Sequence, residues 1–276
     1  IKDIAKQLGI SASTVSRALK DHPDISEKTK LKVKQLAEEL NYKPNAIALS
    51  LQRSKSNVIG IIVPQIVHHF FSTVISGIEE YCTKNGYNVL ICQSNESVDR
   101  EIANTQTLIS GRVDGIIVSR TKYTEDFEHF VGVQNSNIPM VFFDRTCHGL
   151  QTDKVIIDDY KAAFEATEYL IKTGCKNLIH FSGPENLKIS AKRMWGFIDA
   201  LKKNNIPYDE KQVIKADSFT EGRNETEKIL KSGTIPDGIF TVNDMTAAGV
   251  IHTLKRHNIE VPEEISVFGF TNGLIS

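Results

Sequence analysis

From Val58 onward, short runs of β-branched and apolar residues alternate with stretches of helical periodicity, and this alternation limits the possible folds more than any other feature of the chain. VIGIIV leads to a helix over 71–84, NVLIC to one over 99–110, DGIIV to one over 126–134, and MVFF closes the set. The unit then repeats, with KVIID before a helix over 160–172, LIHFS before 190–203, QVIKA before 221–231, GIFTV before 244–257, and ISVFGF last. Strand–helix alternation of this kind predicts an α/β architecture of parallel sheets covered by helices on both faces. Two successive sets predict two lobes with a cleft between them, and ligands bind such folds at the carboxyl ends of the strands.

The first 44 residues follow a different rule. In IAKQLGISASTVSRALK, Ile4, Ala5 and Leu8 have the spacing of one buried helical stripe, and Val15, Ala18 and Leu19 that of another. Gly9 permits a tight stop between them, and Ser11 and Ser13 are natural caps for the second helix. Its outer face carries Ser11, Ala12, Ser13, Thr14, Ser16, Arg17 and Lys20, which are short, hydroxylic or basic. A helix with that face enters a DNA major groove closely, with Arg17 reaching base edges or phosphate. Ser26 and Thr29 introduce a third helix to about Leu40, with Leu31, Val33, Leu36, Ala37 and Leu40 expected inside. Residues 45–52 are helix-prone with few packing partners, as suits a hinge, and 53–57 read as a polar linker. The expected domains are a headpiece over 1–44, a hinge and linker over 45–57 and a core over 58–276, with lobes of about 58–158 and 159–276.

Charge is distributed to match. The net charge is −1 over 276 residues, yet residues 1–55 hold 11 Lys and Arg against 6 Asp and Glu, leaving the remainder acidic. A basic head on an acidic body suits DNA attraction at one end, with Lys2, Lys20, Lys28, Lys30 and Lys43 as expected phosphate contacts. Cys82, Cys92, Cys147 and Cys175 are scattered, which reads as reduced thiols in a cytoplasmic protein and not as a disulfide or zinc framework. No export signal or long apolar run is present, so neither secretion nor membrane insertion is expected.

TVSRAL over 14–19 followed by NYKPNA over 41–46 resembles the headpiece of the LacI/GalR (lactose-repressor-type) family of transcriptional regulators. The resemblance continues through VIGIIVPQ, VDGIIVS, VFFDR, FSGPE, KRMWGF, TVNDMTAAGV and EISVFGFTN. It implies a helix-turn-helix headpiece on a two-lobe periplasmic-binding-protein-like core. It also implies a homodimer on a palindromic double-stranded DNA operator, controlled by a small-molecule effector, expected to be a sugar or sugar derivative. Two-fold symmetry doubles the few base pairs that one recognition helix reads. Members run on past the counterpart of Asn272 to complete both lobes, so a C-terminal part is expected to be missing here. The first residue already lies in the first helix, so the initiator end is expected to be missing too.

The resemblance extends the DNA-contacting set to Tyr42, Asn45, Ala48 and Leu51, the last as an apolar wedge in the minor groove. Leu49 departs from the polar or basic residue usual in relatives. In the cleft, Phe70 and Phe71 match family aromatics that stack on ligand, although both also fit a core. Arg193 matches a ligand-clamping arginine, Asn243 and Asp244 match a ligand-contacting pair, and Asn272 matches as well. Thr271 stands where many relatives carry aspartate. Independently of family, Asp144 and Arg145 close the MVFF strand and Asp158 closes KVIID, so all three are placed at a strand mouth. Asp144 and Arg145 also fit a simple mutual pair, and Asp244 also fits a helix N-cap.

His68 and His69 have no acidic or cysteine partner at ligand spacing, so neither metal nor cofactor is expected. GxGxxG, Walker and GxSxG motifs are absent, and no catalytic set emerges, so the expectation is a regulator and not an enzyme. The alternative is a solute-binding protein sharing the core fold, against which the basic headpiece argues.

Overall fold

The computed structural model describes residues 1–42, 55–271 and 273. The chain divides into two units, Ile1–Ser56 and Asn57–Ser276.

Among its described residues the first unit holds three helices, α1 (Lys2–Leu8), α2 (Ala12–Leu19) and α3 (Glu27–Glu39). Gly9 ends α1 in the left-handed region, at φ 65°, where a side chain would be strained. Ser11 and Ser26 cap α2 and α3 by accepting the amide hydrogens of Thr14 and Thr29. Ile4, Ala5, Val15, Ala18, Val33 and Ala37 make the shared core, and Leu8, Leu19, Leu36 and Tyr42 pack around it. Two expectations for α3 fail: Leu31 is 68% exposed, and Leu40, the residue that ends the helix, is also exposed. The buried phase runs through residues 30, 33 and 37, so Leu31 is turned about 100° away from it. Lys30 takes the inward place, 7% exposed, with its ammonium held by Glu27 at 2.7 Å. It is therefore withdrawn from the expected phosphate contacts.

The second unit carries two parallel sheets. The first lobe has β1 (Val58–Val63), β2 (Asn88–Gln93), β3 (Gly115–Val118), β4 (Met140–Phe143) and β5 (Asp153–Val155), in the order β2-β1-β3-β4-β5. Its helices are α4 (His69–Lys84), α5 (Val98–Ser110) and α6 (Glu128–Asn135). Leu108 of α5 and Phe130 and Val133 of α6 bury one face of the sheet, and Phe71 and Ile75 of α4 bury the other. The second lobe has β6 (Leu178–Ser182), β7 (Val213–Lys215), β8 (Gly238–Thr241) and β9 (Ser266–Phe268), in the order β7-β6-β8-β9. Here α7 (Asp159–Lys172) and α8 (Lys188–Lys203) cover one face, while α9 (Phe219–Ser232) and α10 (Asp244–Arg256) cover the other. Pairing is parallel throughout, for example Ile61 with both Ile91 and Ile117, and Phe240 with Phe268.

The KVIID strand is shorter than expected. β5 stops at Val155, and Asp158 leaves the sheet to cap α7, accepting the Lys161 amide at 3.2 Å. Among the described residues no helix is long and apolar enough to cross a membrane.

Candidate DNA-binding face and ligand cleft

On α2 the polar face is ordered by its own hydroxyls. Ser11 Oγ lies 2.7 Å from Ser13 Oγ and 2.8 Å from Thr14 Oγ1, and it also accepts the Thr14 amide. Ala12, Ser13, Arg17 and Lys20 are exposed, and Thr14 and Ser16 are half-buried. The buried Val15 and Ala18 fix which way this face points. Tyr42 packs against the headpiece core, its amide donating to Ala37 O at 2.8 Å. Lys43, Asn45, Ala48, Leu49, Leu51 and Asn272 lie outside the described residues.

The cleft side chains divide between the two sets of strand ends. After β4, Asp144 adopts φ 56° and Arg145 donates from Nη1 to Glu96 Oε1 at 2.7 Å. Glu96 follows β2 and also accepts the Lys122 amide at 2.8 Å. Asp144 and Arg145 are only loosely paired, with Oδ2 3.9 Å from Nε. Burial pushes the Asp144 carboxyl above its ordinary value, with Arg145 and Arg193 opposing the shift. Of the two aromatics, Phe71 is core, 4% exposed and edge-on to Phe143; Phe70 is half-buried and edge-on to Phe71.

On the second lobe, Arg193 is held on three sides. Its Nε and Nη2 donate to Asp159 Oδ1 at 2.9 and 2.7 Å, and Nη1 donates to Val242 O at 2.7 Å. Its guanidinium carbon lies 3.7 Å from the centre of the Phe270 ring. Asn243, and not Asp244, is the N-cap of α10, accepting the Thr246 amide at 2.8 Å and donating from Nδ2 to Asp217 O at 2.9 Å. Asp244 occupies the first helical position instead, and its Oδ2 accepts the Gly273 amide at 2.7 Å. A Cβ at Gly269 would press on the Asp244 carboxylate and could be fitted only by displacing it. Asp158 is exposed at its cap, and the buried carboxylate that serves Arg193 is its neighbour Asp159.

A polar clasp that sequence reasoning missed joins the lobes. Lys122 Nζ donates to Asp217 at 3.0 and 3.2 Å. Arg120 Nη2 donates to Asn186 O at 3.0 Å, and Asn186 Nδ2 returns a bond to Lys122 O at 2.5 Å. Burial works against the Lys122 charge, but its bonds to Asp217 outweigh this and raise its pKa. The loop carrying Arg120 and Lys122 is anchored by the fully buried Glu101, which accepts from Thr121 N, Thr124 Oγ1 and His129 Nε2. The doubled acid before α7 was the one available signal for Asp159. Nothing comparable marks Glu96, Glu101 or Asp217.

A shallow depression near the start of β4 and β5, lined by Gln134, Ile138, Pro139, Met140 and Thr152, is at the opposite end of the first sheet. Open α/β sheets take ligands at their carboxyl ends, so the cleft is the stronger site.

Comparison with known proteins agrees with this architecture. Residues 1–45 match the profile for bacterial regulatory proteins of the lacI family, and residues 56–273 match that for periplasmic binding proteins and the sugar binding domain of the LacI family. The chain is 32% identical to catabolite control protein A of Priestia megaterium, covering 100% of this chain and 83% of that protein. It is also 32% identical to the transcriptional repressor PurR of Vibrio atlanticus, covering 99% and 81%. Among solved structures, the Lac repressor dimer bound to operator and an anti-inducer superposes with a TM-score of 0.84 at 25% identity, covering 99% of this chain and 82% of that one. A LacI-type regulator from Alkaliphilus metalliredigens in complex with D-xylulofuranose gives 0.67 at 30% identity, covering 79% of each. The chain belongs to the lacI family of bacterial regulatory proteins, DNA-binding transcriptional regulators controlled by small-molecule effectors.

Proposed function

We propose that two copies of the chain bind a palindromic operator through α2, with Ser11, Ala12, Ser13, Thr14, Ser16, Arg17 and Lys20 facing the major groove. Tyr42, Asn45, Ala48 and Leu51 complete the DNA-contacting set, and residues 45–57 act as hinge and linker between a headpiece over 1–44 and a core over 58–276. The effector is a sugar or sugar derivative held between the lobes by Phe70, Asp144, Arg145, Arg193 and Asp244. Asn243 and Asn272 contribute from the second lobe. By changing the relative orientation of the lobes, it changes the separation of paired hinges and so operator affinity. The protein acts in the cytoplasm, where its DNA is, and is not an enzyme.

One observation carries this reading: the α2 face that is free of core contacts is the hydroxylic and basic one, and Arg17 stands exposed on it. The test is to enrich bound sites from a random duplex library and measure affinity for the selected site by fluorescence anisotropy. Arg17→Ala is expected to lose about 1–3 kcal/mol per half-site at fixed salt while leaving circular dichroism unchanged. Retention of wild-type affinity and discrimination would remove Arg17 from the interface.

A further inference from the structure

Each basic group at the strand ends of the cleft already holds a partner, although Arg145 Nε is left without one among the described residues. Arg145 is bonded to Glu96, Arg193 to Asp159 and the Val242 carbonyl, and Lys122 to Asp217. Arg120 spends its guanidinium on the carbonyls of Thr146, Thr121, Thr124 and Asn186. Asp144 is the opposite case. No hydrogen-bond donor reaches its carboxylate among the described residues, and its ionic neighbour, Arg145 Nε, stands at 3.9 Å. Over the groups at these strand ends, Glu96, Asp144, Asp159, Asp217 and Asp244 are five carboxylates against the four cations Arg120, Lys122, Arg145 and Arg193.

We infer that this cleft selects its effector by charge: it takes an uncharged, hydroxyl-rich ligand and rejects the phosphorylated counterpart, with Glu96 as the residue that sets the choice. The inference rests on the reading of the cleft as the effector site. An ionised carboxylate is an acceptor only, so Asp144 calls for a donor, and a sugar hydroxyl is one. A phosphate brings acceptors and negative charge into a partly desolvated space where carboxylates already exceed guanidinium groups, and charges interact strongly in such surroundings. Glu96 is decisive because it holds Arg145, the one first-lobe arginine beside Asp144. It also fixes the loop that carries Lys122, through the Lys122 amide. Neutralising Glu96 releases a guanidinium toward the cleft and cancels one unit of its negative charge.

The test uses the full chain without DNA and four probes: D-ribose, D-ribose 5-phosphate, D-glucose and D-glucose 6-phosphate, with inorganic phosphate as a fifth. Binding is followed by thermal shift and calorimetry. Wild type is expected to bind no phosphorylated probe more tightly than its neutral partner. Glu96→Gln, which keeps an acceptor oxygen for the Lys122 amide, is expected to gain at least tenfold in affinity for a phosphorylated probe or inorganic phosphate. Glu96→Gln/Arg145→Met is expected to lose that gain. Asp144→Asn leaves the Arg145–Glu96 pair intact and is expected to gain less, about threefold, so it serves as the measure if Glu96→Gln is poorly folded. Preference of wild type for a phosphorylated probe overturns the inference, as does absence of any gain in both single variants. If wild type binds neither class but Glu96→Gln gains phosphate, the charge rule stands and the sugar reading of the effector is what fails.

Discussion

At the end of β4, no donor among the described residues reaches Asp144 and none of them partners the buried Arg145 Nε, whereas across the cleft each nitrogen of the Arg193 guanidinium and both polar atoms of the Asn243 amide are hydrogen-bonded. Both lobes are parallel sheets between helices, so the contrast is not one of architecture. It lies in where hydrogen-bonding capacity has been left open. Buried polar groups are normally satisfied, and those left unsatisfied mark places where a ligand or water completes the set. The second lobe is thus a prearranged wall, and the first lobe supplies the open groups, an acceptor in Asp144 and a donor in Arg145 Nε.

The largest test of this contrast is Arg193→Ala. It strands the Asp159 carboxylate inside the second lobe, and breaking a buried pair in this way costs about 3–5 kcal/mol. Urea unfolding followed by circular dichroism checks it; a loss under about 1 kcal/mol would mean that the wall is not locked by this pair. Loss of effector response in that variant therefore needs a stability control before it is assigned to ligand contact.

Next comes pH. His180 is fully buried in β6, stacked on Phe240 with Nδ1 3.0 Å from its carbonyl oxygen, and burial pushes its pKa down to about 4. Between the ordinary value of about 6.5 and that of the folded state, the unfolded chain binds a proton that the folded chain refuses. Stability should fall as pH falls through this window, by roughly 3 kcal/mol in all. His180→Phe should flatten that slope, and an unchanged slope would place the titration elsewhere.

A smaller effect separates the lobes by their glycines. A Cβ at Gly196 would run into the backbone of Tyr160 and Phe164 where α8 crosses α7, whereas at Gly60 it would meet only the flexible end of Leu108. Gly196→Ala should cost about 1–3 kcal/mol through overpacking, and Gly60→Ala clearly less. Equal thermal shifts would show that both lobes yield alike.

One effect runs the other way. Asp144 has its pKa raised by burial, so the folded state pays for its charge once the pH exceeds the usual aspartate value. Asp144→Asn should therefore stabilise the protein at neutral pH and give no gain below the usual aspartate pKa, where the carboxyl is protonated in both states. Destabilisation at pH 7 would mean that the carboxylate has a donor after all.

Much of the fold was legible in sequence because its signals are local. Runs such as VIGIIV and LIHFS announce buried parallel strands, and Ser11 and Ser26 announce helix starts. Leu31 misled because α3 is short and lysine-rich, and its buried phase is completed by the stem of Lys30, whose charge hides its inward position. Asp158 and Asp159 were indistinguishable as letters, and a single step around the first turn of α7 decides which caps the helix and which reaches Arg193. Glu96, Arg120 and Asp217 were invisible for a different reason. Each gains its meaning from a partner 49, 66 or 95 residues away, and no spacing in a single sequence records such a pairing.

The Arg120–Asn186 and Lys122–Asp217 pairings bear on how such proteins are recombined. A hybrid that grafts one lobe of this chain onto the opposite lobe of a relative inherits one half of each pairing, so positions 120 and 122 must travel with 186 and 217. The interchangeable unit in this protein is thus the lobe together with its matching loops from the other side.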